Sequence, residues 1–446
     1  MIREIAYCPL EERLPEHGPY VLLKTARLTP WDRWSILGWD PWLTWTPQSP
    51  DPFAELEQLL THHSTPLRAG LRTHALPVPL LMGAIAYDAG RAIERIPNTA
   101  RRLVRLPDAI LFGFLEFLLA DEQERRAWRI TQKRVGLFSS SKKSPTLFCE
   151  LSTGVEHFFV HRTQGLASNF TPEAYRTAVQ HIRGMIAAGD CYQVNLSQQF
   201  YGRTPRFAAA IFRDAVARNP APMMALVDAG PFQLISTSPE RLLSRVGDRL
   251  VSRPIKGTRA RDAAADRDRR LREELLADSK EGAELAMIVD LVRNDLGRVA
   301  RAGSVVVAEP RVVESYANVH HQLATVTAAV RPDTGWAEIL RAVFPGGSVT
   351  GCPKAQSMLV IESMEGVRRG LYCGSIGYLT DHGDGDWNIA IRTMTKIRDH
   401  VVFNVGGGVV YDSDPQAEYE ETLQKGRTLF AIAGSAQSAN ESRRHT

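Results

Sequence analysis

Trp387-Asn388-Ile389-Ala390-Ile391-Arg392-Thr393-Met394-Thr395-Lys396 is followed, after Ile397-Arg398-Asp399, by His400-Val401-Val402-Phe403-Asn404-Val405-Gly406-Gly407-Gly408-Val409-Val410. Both runs are rich in β-branched and aromatic residues, and only a short polar break separates them. They read as two neighbouring antiparallel strands. The pattern recurs upstream. Tyr192–Phe200 alternates apolar and polar residues, and Met224–Val227, Phe232–Ser236, Arg249–Arg253 and Gly374–Thr380 are further strands with short connections. Helical patterns fall in separate runs at Phe207–Arg218, Leu271–Arg298, Ala337–Phe344, Cys352–Met364 and Pro415–Ala433. Strand pairs with segregated helices favour an α+β fold with antiparallel sheets over a parallel βαβ design.

One helix start is explicit. Thr171 caps, Pro172 suits the first helical position, and Ala178, Ile182, Met185 and Ile186 make the apolar stripe. Residues 1 to about 120 are β-rich, and the apolar run Ala109 to Ala120 reads as a buried strand too short to span a bilayer. Ser139-Ser140-Ser141-Lys142-Lys143-Ser144-Pro145 reads as a mobile loop, and a boundary falls near His161 to Ser168. The chain thus divides into an N-terminal β-rich region, residues 1–160, and a second region, residues 170–434.

At 446 residues, 44% hydrophobic and 23% charged, the chain has the make-up of a soluble globular protein of one to three domains. Its 54 basic and 50 acidic residues leave a net charge of +4, too little to suggest nucleic acid as a partner. The five cysteines, Cys8, Cys149, Cys191, Cys352 and Cys373, show no Cys-x-x-Cys spacing. That argues against a disulfide framework or a zinc site and fits a reducing, cytoplasmic setting. No targeting segment and no membrane-spanning run is visible.

Several segments combine reactive residue types with unusual backbone. Lys256 sits in Arg253-Pro254-Ile255-Lys256-Gly257-Thr258, between a proline that fixes φ and a glycine that frees it. Such a turn holds either a surface lysine or a desolvated amine that serves as a nucleophile. Glu284, Ile288, Leu291 and Asp295 share one helical face, so Glu284 is either a boundary residue turned to solvent or a carboxylate in need of a cation. Asp414-Pro415 opens a helix carrying Glu418, Glu420, Glu421 and Lys425; it is either a solvated acidic helix or, with Glu284, a source of Mg²⁺ ligands. Gly406, Gly407 and Gly408 interrupt a strand, as a bulge or as a place of close approach. Gly346–Lys354 is a flexible turn ahead of a helix, without a P-loop ending. Arg392 is a charge in an apolar strand, facing outward or matching a carboxylate. Of His320 and His321, adjacent on a strand, at most one reaches a site.

Together these segments resemble the chorismate-utilising enzymes, from about Phe170 to Ala433. The residues that carry the resemblance are Ser238-Pro239-Glu240-Arg241, Pro254–Thr258, Ala283–Asp295, Gly347–Lys354, the Arg392 strand, Gly406–Gly408 and Ala417–Thr422. A weaker echo, Gly83–Asp88, extends it to the N-terminal region and implies that the two regions interweave. The resemblance implies antiparallel sheets packed together with helices outside. It also implies that Lys256 stands where other branches carry alanine, as in the branch that aminates chorismate at C4. Leu22-Leu23-Lys24-Thr25 lacks the glutamate that the tryptophan-regulated branch has at the third position of a similar segment.

The resemblance further implies roles. Glu284 and Glu421 hold Mg²⁺. Ser348, Tyr372, Arg392, Gly407, Gly408 and Lys425 position the substrate. Glu240 is the general acid, Lys256 the nucleophile, and His321 the catalytic-site histidine. The product expected is 4-amino-4-deoxychorismate, on the way to p-aminobenzoate and folate. No cysteine sits in a glutaminase elbow, so ammonia is expected from a separate glutaminase subunit or from solution. Anthranilate or isochorismate synthesis, and a non-catalytic paralogue, are the rival readings.

Overall fold

The segment Thr393–Ile397 pairs with His400–Val409 in the expected antiparallel hairpin, with Met394 opposite Phe403 and Ile397 opposite His400. The computed structural model describes residues 1–62, 76–132, 147, 149–163 and 165–434. The loop expected at Ser139–Pro145 lies outside the described residues. Around the hairpin grows a 13-stranded sheet, ordered Ile2–Ile5, Arg126–Thr131, Glu116–Asp121, Trp34–Trp39, Tyr20–Lys24, Met223–Asp228, Gln233–Ser238, Thr393–Ile397, His400–Val409, Gln193–Arg203, Leu166–Ser168, His161–Thr163, with Gly351–Cys352 beside Gln193–Arg203. A second, 10-stranded sheet runs Ile255–Ala260, Val319–Ala329, Arg249–Arg253, Arg241–Val246, Gly385–Asn388, Ser375–Thr380, Pro79–Ile85, Ala109–Gly113, Leu43–Trp45, with Val306–Ser315 also on Val319–Ala329. Early and late strands share both sheets: Tyr20–Lys24 pairs with Met223–Asp228, and Pro79–Ile85 with Ser375–Thr380.

The two sheets pack face to face. Val21, Ile36, Phe117 and Val227 of the first meet Met82, Ala84, Phe112 and Ile376 of the second. Helices cover the outer faces. Ala208–Arg218 and Pro415–Gly434 put Ile211, Phe212, Leu429 and Phe430 on the first sheet. Ser279–Gly297 and Trp336–Val343 put Leu285, Ile288, Leu296, Ile339 and Leu340 on the second. Each such side chain contributes roughly 1.5–3 kcal/mol on burial. Among the described residues no helix is long and apolar enough to cross a membrane.

Four expectations are corrected. The stretch Trp387–Lys396 is not one strand: Gly385–Asn388 belongs to the second sheet and Thr393–Ile397 to the first, and the chain crosses between them through Arg392, whose φ is +49°. The run Ala109–Ala120 is likewise two strands, one in each sheet. Both are buried, so hydrophobicity alone does not mark the crossover. The helix expected at Leu271–Arg298 is two, Ala265–Ala277 and Ser279–Gly297. Asp278 divides them by accepting hydrogen bonds from the Lys280 and Glu281 amides, a side-chain cap that starts a new helix. Finally, Gly406–Gly408 does not interrupt its strand. The ladder from Val194–Val409 to Arg203–His400 runs through them without a register shift.

Candidate active site

Lys256 lies on a β-bulge, not in a turn. Ile255 pairs with Leu323 and Thr258 with His321, so the Ile255 strand holds one residue more than its partner between those pairs. Gly257 takes a φ of +86° that absorbs the extra residue. The bulge aims Lys256 into a cleft of about 720 Å³, partly open to solvent, between the ends of the two sheets. There its amine meets the first sheet at Gly408: a Cβ on that glycine would stand 2.9 Å from Nζ. The amine makes no hydrogen bond and no ion pair among the described residues. Burial lowers its pKa, and the nearby Lys425 charge adds to the effect, while Glu284 and Glu240 oppose it.

Glu240 follows Ser238-Pro239 and is 3% exposed. Ser238 Oγ accepts from its amide at 3.2 Å, and its carbonyl accepts from the Ile389 amide at 3.0 Å, which fixes the backbone. The carboxyl accepts from Ser348 Oγ at 2.6 Å and from the Ile255 amide at 3.3 Å. Burial nevertheless dominates and raises its pKa to about 7. A carboxyl in this state carries a proton through much of the neutral range.

Arg392 and His321 form a second group. Arg392 Nη2 lies 3.3 Å from His321 Nε2, and Thr258 Oγ1 lies 2.9 Å from His321 Nδ1. Guanidinium only donates, so Nε2 accepts and the ring proton sits on Nδ1. Burial, then the Arg392 and Lys425 charges, hold the imidazole well below its usual pKa, and it is neutral. His320 faces the other way, with Nε2 2.9 Å from Asp268 Oδ1. Burial also lowers the pKa of Arg392, which has no ion-pair partner among the described residues. A half-buried guanidinium without an ion-pair partner calls for an anion. Tyr372 lines the same wall.

Carboxylates gather on the opposite side. Glu421 is ion-paired with Lys425, whose charge lowers the glutamate pKa. Burial disfavours the Lys425 charge, but Glu421 outweighs it and the lysine stays protonated. Burial raises the pKa of Glu284, with Lys256 opposing and Glu281 and Glu421 adding repulsion. Glu418 accepts from Ser413 Oγ at 2.6 Å, and its pKa is pushed up to about 6, chiefly by burial. A Cβ on Gly407 would stand 3.0 Å from Glu418 Oε2 and 3.4 Å from Glu421 Oε1, so these two carboxylates meet the strand at one point. Among the described residues no group of three or more His, Cys, Asp or Glu has a metal-ligating arrangement. Paired carboxylates with repelling neighbours do suit Mg²⁺, which takes one or two of them and leaves its other positions to water and substrate.

The Chorismate binding enzyme family model matches residues 23–431. The chain belongs to that family. It is 38% identical to aminodeoxychorismate synthase component 1 of Klebsiella aerogenes, over 84% of this chain and 81% of the relative. It is 34% identical to anthranilate synthase component 1 of Cereibacter sphaeroides, over 91% of this chain and 87% of the relative. Anthranilate synthase component I from Streptococcus pneumoniae superposes with a TM-score of 0.75 at 26% identity, covering 94% of this chain and 96% of the other.

In this chorismate-binding chain, Glu240, Lys256, His321, Ser348, Tyr372, Arg392, Gly408 and Lys425 line the cleft, whereas Gly407, Glu284 and Glu421 are not among its lining residues. Sequence reasoning assigned no role to Glu418, Gln193 or Asn195. In the strand Gln193–Arg203 the alternation looked like one dry face and one wet face, yet both faces are buried. Val194 and Leu196 pack under the Pro172–Ala187 helix, while Asn195 lines the cleft. Gln193 Nε2 and Oε1 are buried without a hydrogen-bond partner, and Gln193 Nε2 lies 3.2 Å from the Gly408 Cβ position. The polar half of an alternating strand was the available signal. Lys24 sits apart from the cleft, buried, with its amine 2.8 Å from Glu122 and 3.2 Å from Glu11.

Proposed function

We propose that this chain converts chorismate to 4-amino-4-deoxychorismate, with ammonia as the nitrogen source, for p-aminobenzoate and folate synthesis. The observation that carries the reading is the unpaired, desolvated Lys256 amine in a cleft that also holds Glu240, whose carboxyl burial keeps protonated up to about pH 7. A nucleophile must be neutral and an acid must be protonated, and burial drives both groups in those directions. Residues 170–434 supply the cleft, and residues 1–160 complete the sheets that frame it.

Arg392, Tyr372, Lys425 and the Gly407–Gly408 strand hold the substrate, with Ser348 at the acid. Lys256 attacks C2, the ring double bonds shift, and the C4 hydroxyl leaves with the proton of Glu240 as water. Ammonia then adds at C4, the double bonds shift back, and the Lys256 amine is expelled. The balance is chorismate plus ammonia giving aminodeoxychorismate plus water. His321, neutral, keeps Arg392 oriented without adding charge. Glu284 and Glu421, with Glu418 beside them, would hold Mg²⁺, which would supply charge neutralisation for a substrate carboxylate. A separate glutaminase subunit delivers the ammonia, in the cytoplasm.

Incubation with chorismate, Mg²⁺ and ammonium, followed by product identification, tests the reading. Aminodeoxychorismate is expected, and Lys256→Ala should abolish it or redirect the reaction. Anthranilate or isochorismate as the main product of the unaltered chain would refute the assignment.

A further inference from the structure

Beneath the cleft lies an ion pair that the mechanism above does not use. Glu365 and Arg369, one helical turn apart in sequence, are each 1% exposed, with Arg369 Nη2 2.6 Å from Glu365 Oε1 and Nε 3.0 Å from Oε2. The remaining donors of the guanidinium reach two main-chain carbonyls. Nη1 donates to Val349 O at 2.9 Å and Nη2 to Asn195 O at 2.6 Å. Its centre lies 5.5 Å from the Tyr372 ring centroid and 4.9 Å from that of Tyr87. Glu365 in turn accepts from the Ser197 amide at 2.8 Å and hydroxyl at 2.9 Å. One planar group therefore binds three walls of the cleft: the Asn195 strand, the Gly347–Val349 turn and Tyr372.

The turn is the sensitive wall. Val349 is adjacent to Ser348, and the Ser348 hydroxyl donates to the acid at 2.6 Å. Gly347 leaves no slack on the other side, since a Cβ there would stand 2.4 Å from Leu291. We infer that the buried Glu365–Arg369 pair is a positioning element that aims the Ser348 hydroxyl at Glu240 by fixing the Val349 carbonyl. A lone structural ion pair would require neither the forked grip on two carbonyls nor the placement of both at the cleft. The inference rests on the reading of Glu240 as the acid.

The test compares Arg369→Lys, Ser348→Ala and their combination. Lysine keeps the charge that Glu365 needs but cannot hold two carbonyls at once. Rates are measured with ammonium at saturating free ammonia across the pH range, beside thermal melts. Ser348 donates to the ionised acid and so lowers its pKa, and losing that bond raises it. The falling limb of kcat should move to higher pH by about one unit in Ser348→Ala, the scale of a lost hydrogen bond to a charged group. Arg369→Lys should move it the same way, and the double variant no further. A limb that moves in Ser348→Ala but not in Arg369→Lys overturns the positioning role, whatever the melts show. A limb that moves in neither overturns Glu240 as the acid, and the positioning role with it.

Discussion

Replacing Gly408 by alanine should damage chemistry and spare the fold. The glycine does not require a positive φ, so alanine suits the backbone there and a strand gains slightly from it. Its methyl would stand 2.9 Å from Lys256 Nζ and 3.2 Å from Gln193 Nε2, both ends of flexible side chains. Ordinary contact begins nearer 3.5 Å, so the amine must retreat by about 0.5–1 Å. A displacement of that size in a reacting group costs on the order of 10²-fold in rate, or roughly 2.7 kcal/mol of barrier. Steady-state kinetics of aminodeoxychorismate formation should show a fall in kcat with little change in KM, and the melting temperature should hold. Gly406→Ala is the contrast. Its methyl would meet the Leu196 carbonyl oxygen at 2.4 Å, and a ladder carbonyl cannot swing aside as a lysine can. That variant should melt lower, by an overpacking cost of about 1–3 kcal/mol. An unimpaired kcat in Gly408→Ala would refute the reasoning.

The pH profile of kcat should be bell-shaped. Glu240 must be protonated, so activity falls as pH rises through its pKa of about 7; Lys256 must be neutral, so activity rises through a pKa that burial holds below the usual lysine range. Glu240→Gln should abolish the falling limb along with most of the rate, and a limb that survives belongs to another group. Glu284→Gln and Glu421→Gln should each weaken Mg²⁺ binding by about 10-fold or more, the scale for a metal ligand or its support, read by calorimetry with Mg²⁺ alone and without substrate; unchanged affinity in both variants would remove the two glutamates from the metal site.

The sequence showed the antiparallel hairpin, the outer helices and most of the cleft because those features leave periodic or compositional marks. Val401, Phe403 and Val405 alternate with residues of the opposite face, and Pro415 marks a helix start. The crossovers between sheets left no such mark. Ile389, Ala390 and Ile391 are as apolar as the strands on either side, and the break at Arg392 is a backbone event. The division at Asp278 was visible in principle, since Asp278-Ser279-Lys280-Glu281 has the spacing of a capping box, but the charged stretch around it reads as continuous helix. Lys256 looked like a turn residue because Pro254 and Gly257 flank it; only strand pairing reveals a bulge. Arg369 and Glu365 stayed silent for a different reason. Their partners, Val349, Asn195 and Ser197, are scattered through the chain and contribute mainly backbone atoms, which no side-chain pattern reports.

The placing of His400–Val409 near the middle of the larger sheet bears on how this protein is made. It is the last strand among the described residues, yet it joins Gln193–Arg203 to Thr393–Ile397, which itself pairs with Gln233–Ser238. Until it arrives, the growing chain holds two partial sheets with open edges and no floor for the cleft. Such edges pair readily with strangers. Assembly of the larger sheet therefore waits for residues 400–409, and the residues that aim the nucleophile meet only once that segment has been made.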